Sequence, residues 1–376
     1  MSGLQINVSQ QTVDVCEAQL RYETRGDFWG VLEAAKVSLI ASREYEDFIV
    51  VLGGNGGSAW QNALAIPHPS GVFWDTRRKE LIVASTRSLN QVVFFSLLTV
   101  EQRKSEILPF GSALPPGDFF VPRSSVILPG SLYIHDVARI GDSLYATMTG
   151  HNFLGRIRPE GGWERVWWPK SLDVCEDGFR LNHFQLNSIA CADTIDGCFL
   201  TGFSDCSDGA KPWKAGFGPK GKGVVFSASA REVILRGLTC PHSARLVTGD
   251  LWVCNSGFGE VGIVRHTGSL TRTNWDVVQR LDGFTRGFAS VGEDLVAVGL
   301  SKVIQKYEPY APGLSPEKTK CGIVLLERRS GEEVASLTWP DGYQIYDIQV
   351  VPGVYQPLLS HSIDGKPGNT SVRYLG

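Results

Sequence analysis

Six times along the chain a short apolar strand pattern opens on a polar or ionisable residue, turns, and is followed by a second strand pattern. The clearest copies are IHDVARIGDSLYATMTG from Ile134, CPHSARLVTGDLWVCNSG from Cys240 and GFTRGFASVGEDLVAVGLS from Gly283. Looser copies are HPSGVFWDTRRKELIVASTR from His68, LNSIACADTIDGCFLTGFS from Leu186 and YDIQVVPGVYQPLLSHS from Tyr346. The residues that lead them are His68, His135, Asn187, His242, Arg286 and Asp347, separated by 67, 52, 55, 44 and 61 residues. Four-strand repeats of about 40–50 residues mark propeller blades, and inserted loops account for the excess. A helical repeat would need apolar residues at 3.6 spacing. Here stretches such as Leu251-Trp252-Val253-Cys254 are β-branched or aromatic, and Gly141-Asp142, Gly249-Asp250 and Gly292-Glu293-Asp294 punctuate them as turns. The expected fold is all-β: a six-bladed β-propeller closed by N- and C-terminal strands, because an open ring leaves unpaired edges.

One domain is expected over residues 1–376, with 1–45 an irregular or helical N-terminal extension. The net charge of −3 and the lack of a long basic run speak against nucleic acid and against an anionic membrane surface as partners. The modest cluster Lys211–Lys222 is diluted by Gly, Pro and aromatic residues and reads as a solvated loop. No run of 18 apolar residues offers a membrane span, and the polar start does not read as a signal peptide. The eight cysteines are scattered without a CxxC pair and read as reduced core thiols. The location expected from these features is cytoplasmic.

The blocks IHD, GLTCPHSARL, LWVCNSGFGE, GFTRG, VGLSK and YDIQVVPG occur in that order. In this the chain resembles an uncharacterised bacterial conserved-hypothetical β-propeller family, a domain of unknown function, some of whose members stand beside tetratricopeptide repeats. The resemblance runs from about Tyr133 to Gly353 and, more weakly, over the hairpin near Asp47 and the first copy. It implies the propeller and brings no settled activity with it. The family often reads HLNG where this chain has NHFQLNSI, which shifts or displaces one histidine, so the resemblance assigns no role to His183.

If the lead positions share one mouth of a central channel, their side chains suit acid–base chemistry on a small polar metabolite. His135 and His242 can take or give a proton near neutral pH. Arg286 offers a charged fork to a carboxylate or phosphate, and Asp347 can orient a histidine or balance the arginine. These four are the catalytic candidates. Asp136, Asn187, Ser243, Asn255, Thr285, Tyr346 and Lys302 are the substrate-binding candidates around them. The leading expectation is an isomerase, lyase, cyclase or hydrolase acting without a cofactor on an anionic metabolite. One alternative is a non-catalytic binding module that presents its loop face to a protein or ligand. The other is a hydrolase or lyase with a divalent metal on His135, His242, Asp136 and Asp347. No nucleotide or flavin motif is present, and no GxSxG elbow.

Overall fold

Strands that are apolar on both faces have to be covered on both, and stacking the repeats round an axis does this. In the computed structural model, which describes residues 15–87, 89–99, 117–206, 211, 212, 214, 216–266, 273–360 and 371–374, six antiparallel sheets form such a ring, a six-bladed propeller. Blade 1 runs Pro69–Asp75, Glu80–Ser85, Asn90–Leu98 and Phe119–Leu128. Blade 2 runs Ile134–Ile140, Ser143–Met148, Phe153–Ile157 and Trp163–Trp167. Blade 3 runs Ile189–Ala190, Phe199–Gly202, Gly223–Ser227 and Glu232–Leu238. Blade 4 runs Pro241–Val247, Asp250–Asn255, Glu260–His266 and Thr273–Arg280. Blade 5 runs Phe284–Val291, Leu295–Ser301, Gly322–Glu327 and Glu333–Thr338.

Blade 6 closes the ring. Its inner strand, Asp347–Pro352, comes from late in the chain, and Val37–Arg43, Phe48–Asn55 and Ser58–Ala65 come from early. The seam is antiparallel, from Val37 opposite Pro352 to Ser42 opposite Asp347. Three short strands brace other edges: Glu23–Arg25 on blade 5, Leu358–Leu359 on blade 1 and Ser371–Tyr374 on blade 6. The expected extension over 1–45 therefore stops short of its boundary, because Val37–Arg43 is a fully buried blade strand. Its helical part is real: Phe28–Ala34 is an α-helix capped by Asp27, with Phe28 and Leu32 buried against blades 5 and 6.

Apolar side chains fill the gaps between blades. Trp252 of blade 4 stacks on Phe288 of blade 5 at 5.3 Å, and Val72 and Val83 of blade 1 meet Ile40 and Val51 of blade 6. Each such side chain, fully buried, contributes about 1.5–3 kcal/mol. In blades 1, 2, 4 and 5 the inner strand carries one extra residue near its start, a bulge that re-aims the side chains beside it.

Candidate functional site

The hydroxyl at the end of each second strand shows which residues are equivalent: Thr149, Ser256 and Ser301 donate to the carbonyls of Leu186, Thr285 and Ile345, each the residue before the slot of the next blade. Pro69, Ile134, Pro241 and Thr285 lie opposite Ser85, Met148, Asn255 and Leu300. The following residues, Ser70, His135, His242 and Arg286, therefore share one slot. Asp136, Ser188 and Asp347 each donate their main-chain N–H to a hydroxyl of their own second strand, Thr147, Thr201 and Ser42. That places Asn187 and Tyr346 in the slot for blades 3 and 6. Two expected lead residues are thus displaced. His68 stands two positions before the slot, at φ 46°, and Asp347 one position after it.

The next position round the ring, Gly71, Asp136, Ser188, Ser243, Gly287 and Asp347, stitches the blades together. Each side chain here accepts a hydrogen bond from the main chain of the next blade. Asp347 takes Val72 N at 3.0 Å, Asp136 takes Ile189 N at 2.8 Å, Ser188 takes Ala244 N at 2.8 Å and Ser243 takes Gly287 N at 2.8 Å. Blades 1 and 5 have glycine at this position, and there the next blade's aspartate serves its own neighbour instead. Asp136 takes Val137 N at 3.0 Å and Asp347 takes Ile348 N at 2.9 Å. The glycines permit that close approach: a Cβ on Gly71 would come within 2.6 Å of Asp136 Cα.

Arg245 of blade 4 plugs the axis between these aspartates. It donates to Asp136 Oδ2 at 2.9 Å and to Asp347 Oδ1 and Oδ2 at 2.9 and 3.1 Å. Two carboxylates share one guanidinium in a buried setting. Burial pushes Asp347 up to about 7 against the pull of Arg245, and it raises Asp136 as well. Asp136, Asp347 and Ser243 thus hold the ring together and lie outside the wall of the mouth cavity. Asn187 also lies behind that wall, and the alternative metal set of His135, His242, Asp136 and Asp347 does not converge as ligands. Among the described residues no three His, Cys, Asp or Glu side chains are grouped to share an ion. Asn255 and Thr285 are structural too. Asn255 accepts from Thr239 N and donates to Glu260, and Thr285 donates to the Glu260 carbonyl.

Above the plug a cavity of about 660 Å³ opens at the mouth. Of the expected residues, His135, His242, Arg286, Tyr346 and Lys302 line it. So do residues that sequence reasoning did not single out, among them Glu44, Tyr45, Arg87, Gln185, Tyr307 and Tyr310. His68, expected to lead the first copy, also lines the mouth, within 3.1 Å of Asp47 and 3.4 Å of Glu44. Four cationic side chains, Arg87, Arg286, Lys302 and Lys306, face one carboxylate, Glu44. Glu44 is already engaged by Arg87 at 2.8 Å. Burial raises its carboxyl, and Arg87 and Arg286 pull it back. The insertion after Ser301 arches over this mouth: Tyr307 stacks on Tyr45 at 5.9 Å and Tyr310 donates to Pro212 O at 2.5 Å.

The hydrogen bonds assign the histidine protons. His242 Nδ1 lies 2.8 Å from Cys240 O and 2.8 Å from Ser256 Oγ. Ser256 spends its own proton on Thr285 O at 2.6 Å. A carbonyl only accepts, so Nδ1 carries the hydrogen and Nε2 is left as a lone-pair acceptor. Phe203 and Phe284 brace the ring edge to face at 5.2 and 5.3 Å. His135 is used on both sides. Gln185 donates to Nε2 at 3.3 Å, its amide orientation locked by two bonds with Asn182. Asn187 Nδ2 lies 3.1 Å from His135 Nδ1; a neutral ring carries one hydrogen, so with Nε2 accepting from Gln185 the Asn187 amide has to turn its oxygen to Nδ1–H. Burial, reinforced by the Arg286 charge, pushes both imidazoles well below the ordinary 6.5, so both are neutral at pH 7.

Arg286 differs from everything around it. It is 8% exposed, and its guanidinium carbon lies 3.3 Å from the Tyr346 ring centre. Its Nε and Nη2 are buried with no well-aligned hydrogen-bond partner among the described residues, and the Tyr346 hydroxyl, also buried, lies by Thr86 and Arg286. Burial raises Tyr346, which stays a neutral phenol and a donor. Leaving such groups unmatched costs about 1–3 kcal/mol each, more when charged.

The fold and cavity define a six-bladed propeller with a cationic, aromatic-walled chamber at one end of its axis. Residues 26–359 match the family model for the domain of unknown function DUF4915, and the chain belongs to that family. No functionally curated protein matches it. Among solved structures, the nidogen/laminin complex matches with 11% identity over 85% of this chain and 99% of the other, at a TM-score of 0.51. A putative gluconolactonase matches at 16% identity, 81% and 99% coverage and a TM-score of 0.44. Virginiamycin B lyase from Staphylococcus aureus, an inactive variant bound to quinupristin, matches at 9%, 85% and 99%, with 0.36. The first shows a shared fold only, and the other two likenesses are too loose to carry chemistry.

Proposed function

We propose that the mouth cavity is the active site of an enzyme acting on a small anionic metabolite by proton transfer. The observation that carries this reading is a buried arginine with unmatched donors beside a neutral histidine whose free nitrogen is Nε2. Arg286 holds the anionic end of the ligand. His242 Nε2 accepts a proton from a substrate C–H or O–H, or from an attacking water. The carbonyl at Cys240 stabilises the resulting imidazolium through Nδ1–H. His135, tied down by Gln185 and Asn187, shapes the wall. Isomerisation, elimination, cyclisation and hydrolysis all begin with such a step.

Incubating the protein with a pool of small anionic metabolites, followed by mass spectrometry, tests the reading. Wild type should deplete at least one member with a matching product, and His242→Gln should abolish that depletion while the variant stays folded with a cooperative melting transition. A ligand that binds and never turns over would make the cavity a receptor and end the enzymatic reading.

A further inference from the structure

We infer that the anion this cavity accepts is a carboxylate, bound side-on by Arg286, rather than a phosphate or sulfate; the inference rests on the reading of the cavity as an anion site. The two unmatched nitrogens of Arg286 are Nε and Nη2. Their N–H bonds lie along one edge of the guanidinium, parallel and in plane, and match the spacing of the two oxygens of a carboxylate. The face of the guanidinium is occupied, because Tyr346 stacks on it at 3.3 Å. A ligand can therefore engage this edge only in the guanidinium plane.

The Tyr346 hydroxyl, within reach of Thr86 and Arg286, borders the same niche. Neither it nor the two nitrogens touches solvent, so a carboxylate reaches this edge only as the wall side chains part around it. A planar group with two acceptor oxygens can slide in along the wall. A tetrahedral phosphate or sulfonate brings further oxygens out of plane, against the Tyr346 ring. Glu44, the acidic residue on the cavity wall, does not fill the niche, since it is committed to Arg87 at 2.8 Å. A carboxylate held there places its α-position in the chamber it shares with His242, a neighbour on the adjacent blade whose imidazole feels the Arg286 charge.

Three probes that share a ring and differ in the anion separate the possibilities: benzoate, phenylphosphonate and benzenesulfonate, titrated calorimetrically into the full chain. Benzoate should bind at least about tenfold tighter than the other two, the worth of one charge-assisted hydrogen bond. Arg286→Lys keeps the charge and loses the fork, so it should remove that preference, while Arg87→Lys should leave it. In case Arg286→Lys misfolds, the Arg286 Nε–H resonance of wild type gives an independent readout. It should shift with benzoate and not with phenylphosphonate. Phenylphosphonate binding as tightly as benzoate through Arg286 would overturn the carboxylate assignment while leaving an anion site. No anion binding at all, with the Arg286 resonance unmoved, would overturn the anion site itself.

Discussion

Replacing Arg245 by leucine isolates the axial plug. The guanidinium is held between Asp136 and Asp347 at 2.9 Å to each, with side chains 16%, 5% and 5% exposed. Without it two carboxylates face each other across a dry axis, and each must take a proton to stay. Asp347 already titrates near 7, so much of its proton is present in wild type at neutral pH. The new cost falls on Asp136, whose unfolded value is about 3.8. Neutralising it costs about 1.4 kcal/mol per pH unit above that value, hence roughly 4 kcal/mol at pH 7 and roughly 1.6 at pH 5. The figure at pH 7 agrees with the about 3–5 kcal/mol seen when one partner of a buried ion pair is removed. The sign follows from linkage: a carboxyl whose folded pKa is raised stabilises below its unfolded value and loses that contribution as pH rises through the folded one. Urea unfolding of both proteins at pH 5, 6 and 7 measures this. A loss under about 1 kcal/mol at pH 7, or one independent of pH, would refute the reasoning.

Three further outcomes are expected. Arg245→Leu combined with Asp136→Asn and Asp347→Asn should recover a large part of the stability lost at pH 7, because no uncompensated charge is left buried; equal instability would show that Arg245 acts through packing. Gly71→Ala should destabilise by about 1–3 kcal/mol in urea, since the added methyl meets Asp136 Cα at 2.6 Å and Val137 N at 2.7 Å. His242→Gln should lose less stability than wild type between pH 7 and pH 5. A histidine with a lowered folded pKa stabilises above its unfolded value of 6.5 and loses that contribution as pH falls below it. Parallel pH profiles for the two proteins would show that His242 is not buried as a neutral ring.

Much of the fold was legible because each blade repeats one apolar pattern, and His135, Asn187, His242 and Arg286 stand in the slot their motifs indicated. Asp347 was misplaced because the sixth copy was expected to open on its charged residue, whereas Tyr346 fills the slot and Asp347 belongs to the ring of bonds behind it, on a strand that pairs without a bulge. Arg245 sits two residues past Ser243, on a stretch that reads as ordinary strand, and only the convergence of blades 2, 4 and 6 gives it a role. Glu44 and Tyr45 were hidden because the closing blade draws its second strand from the first 45 residues. Tyr307 and Tyr310 lie in the insertion after Ser301, whose placement over the mouth follows from ring geometry while its individual contacts do not.

The most direct measurement is the protonation state of His242 in the intact protein, by long-range ¹⁵N–¹H correlation of labelled histidines assigned through His242→Gln. At pH 7 the ring should be neutral, protonated on Nδ1 and bare on Nε2, and the Nε2 signal should move when benzoate occupies the cavity. An imidazolium at pH 7, or a neutral ring protonated on Nε2, would contradict a proton acceptor at this position.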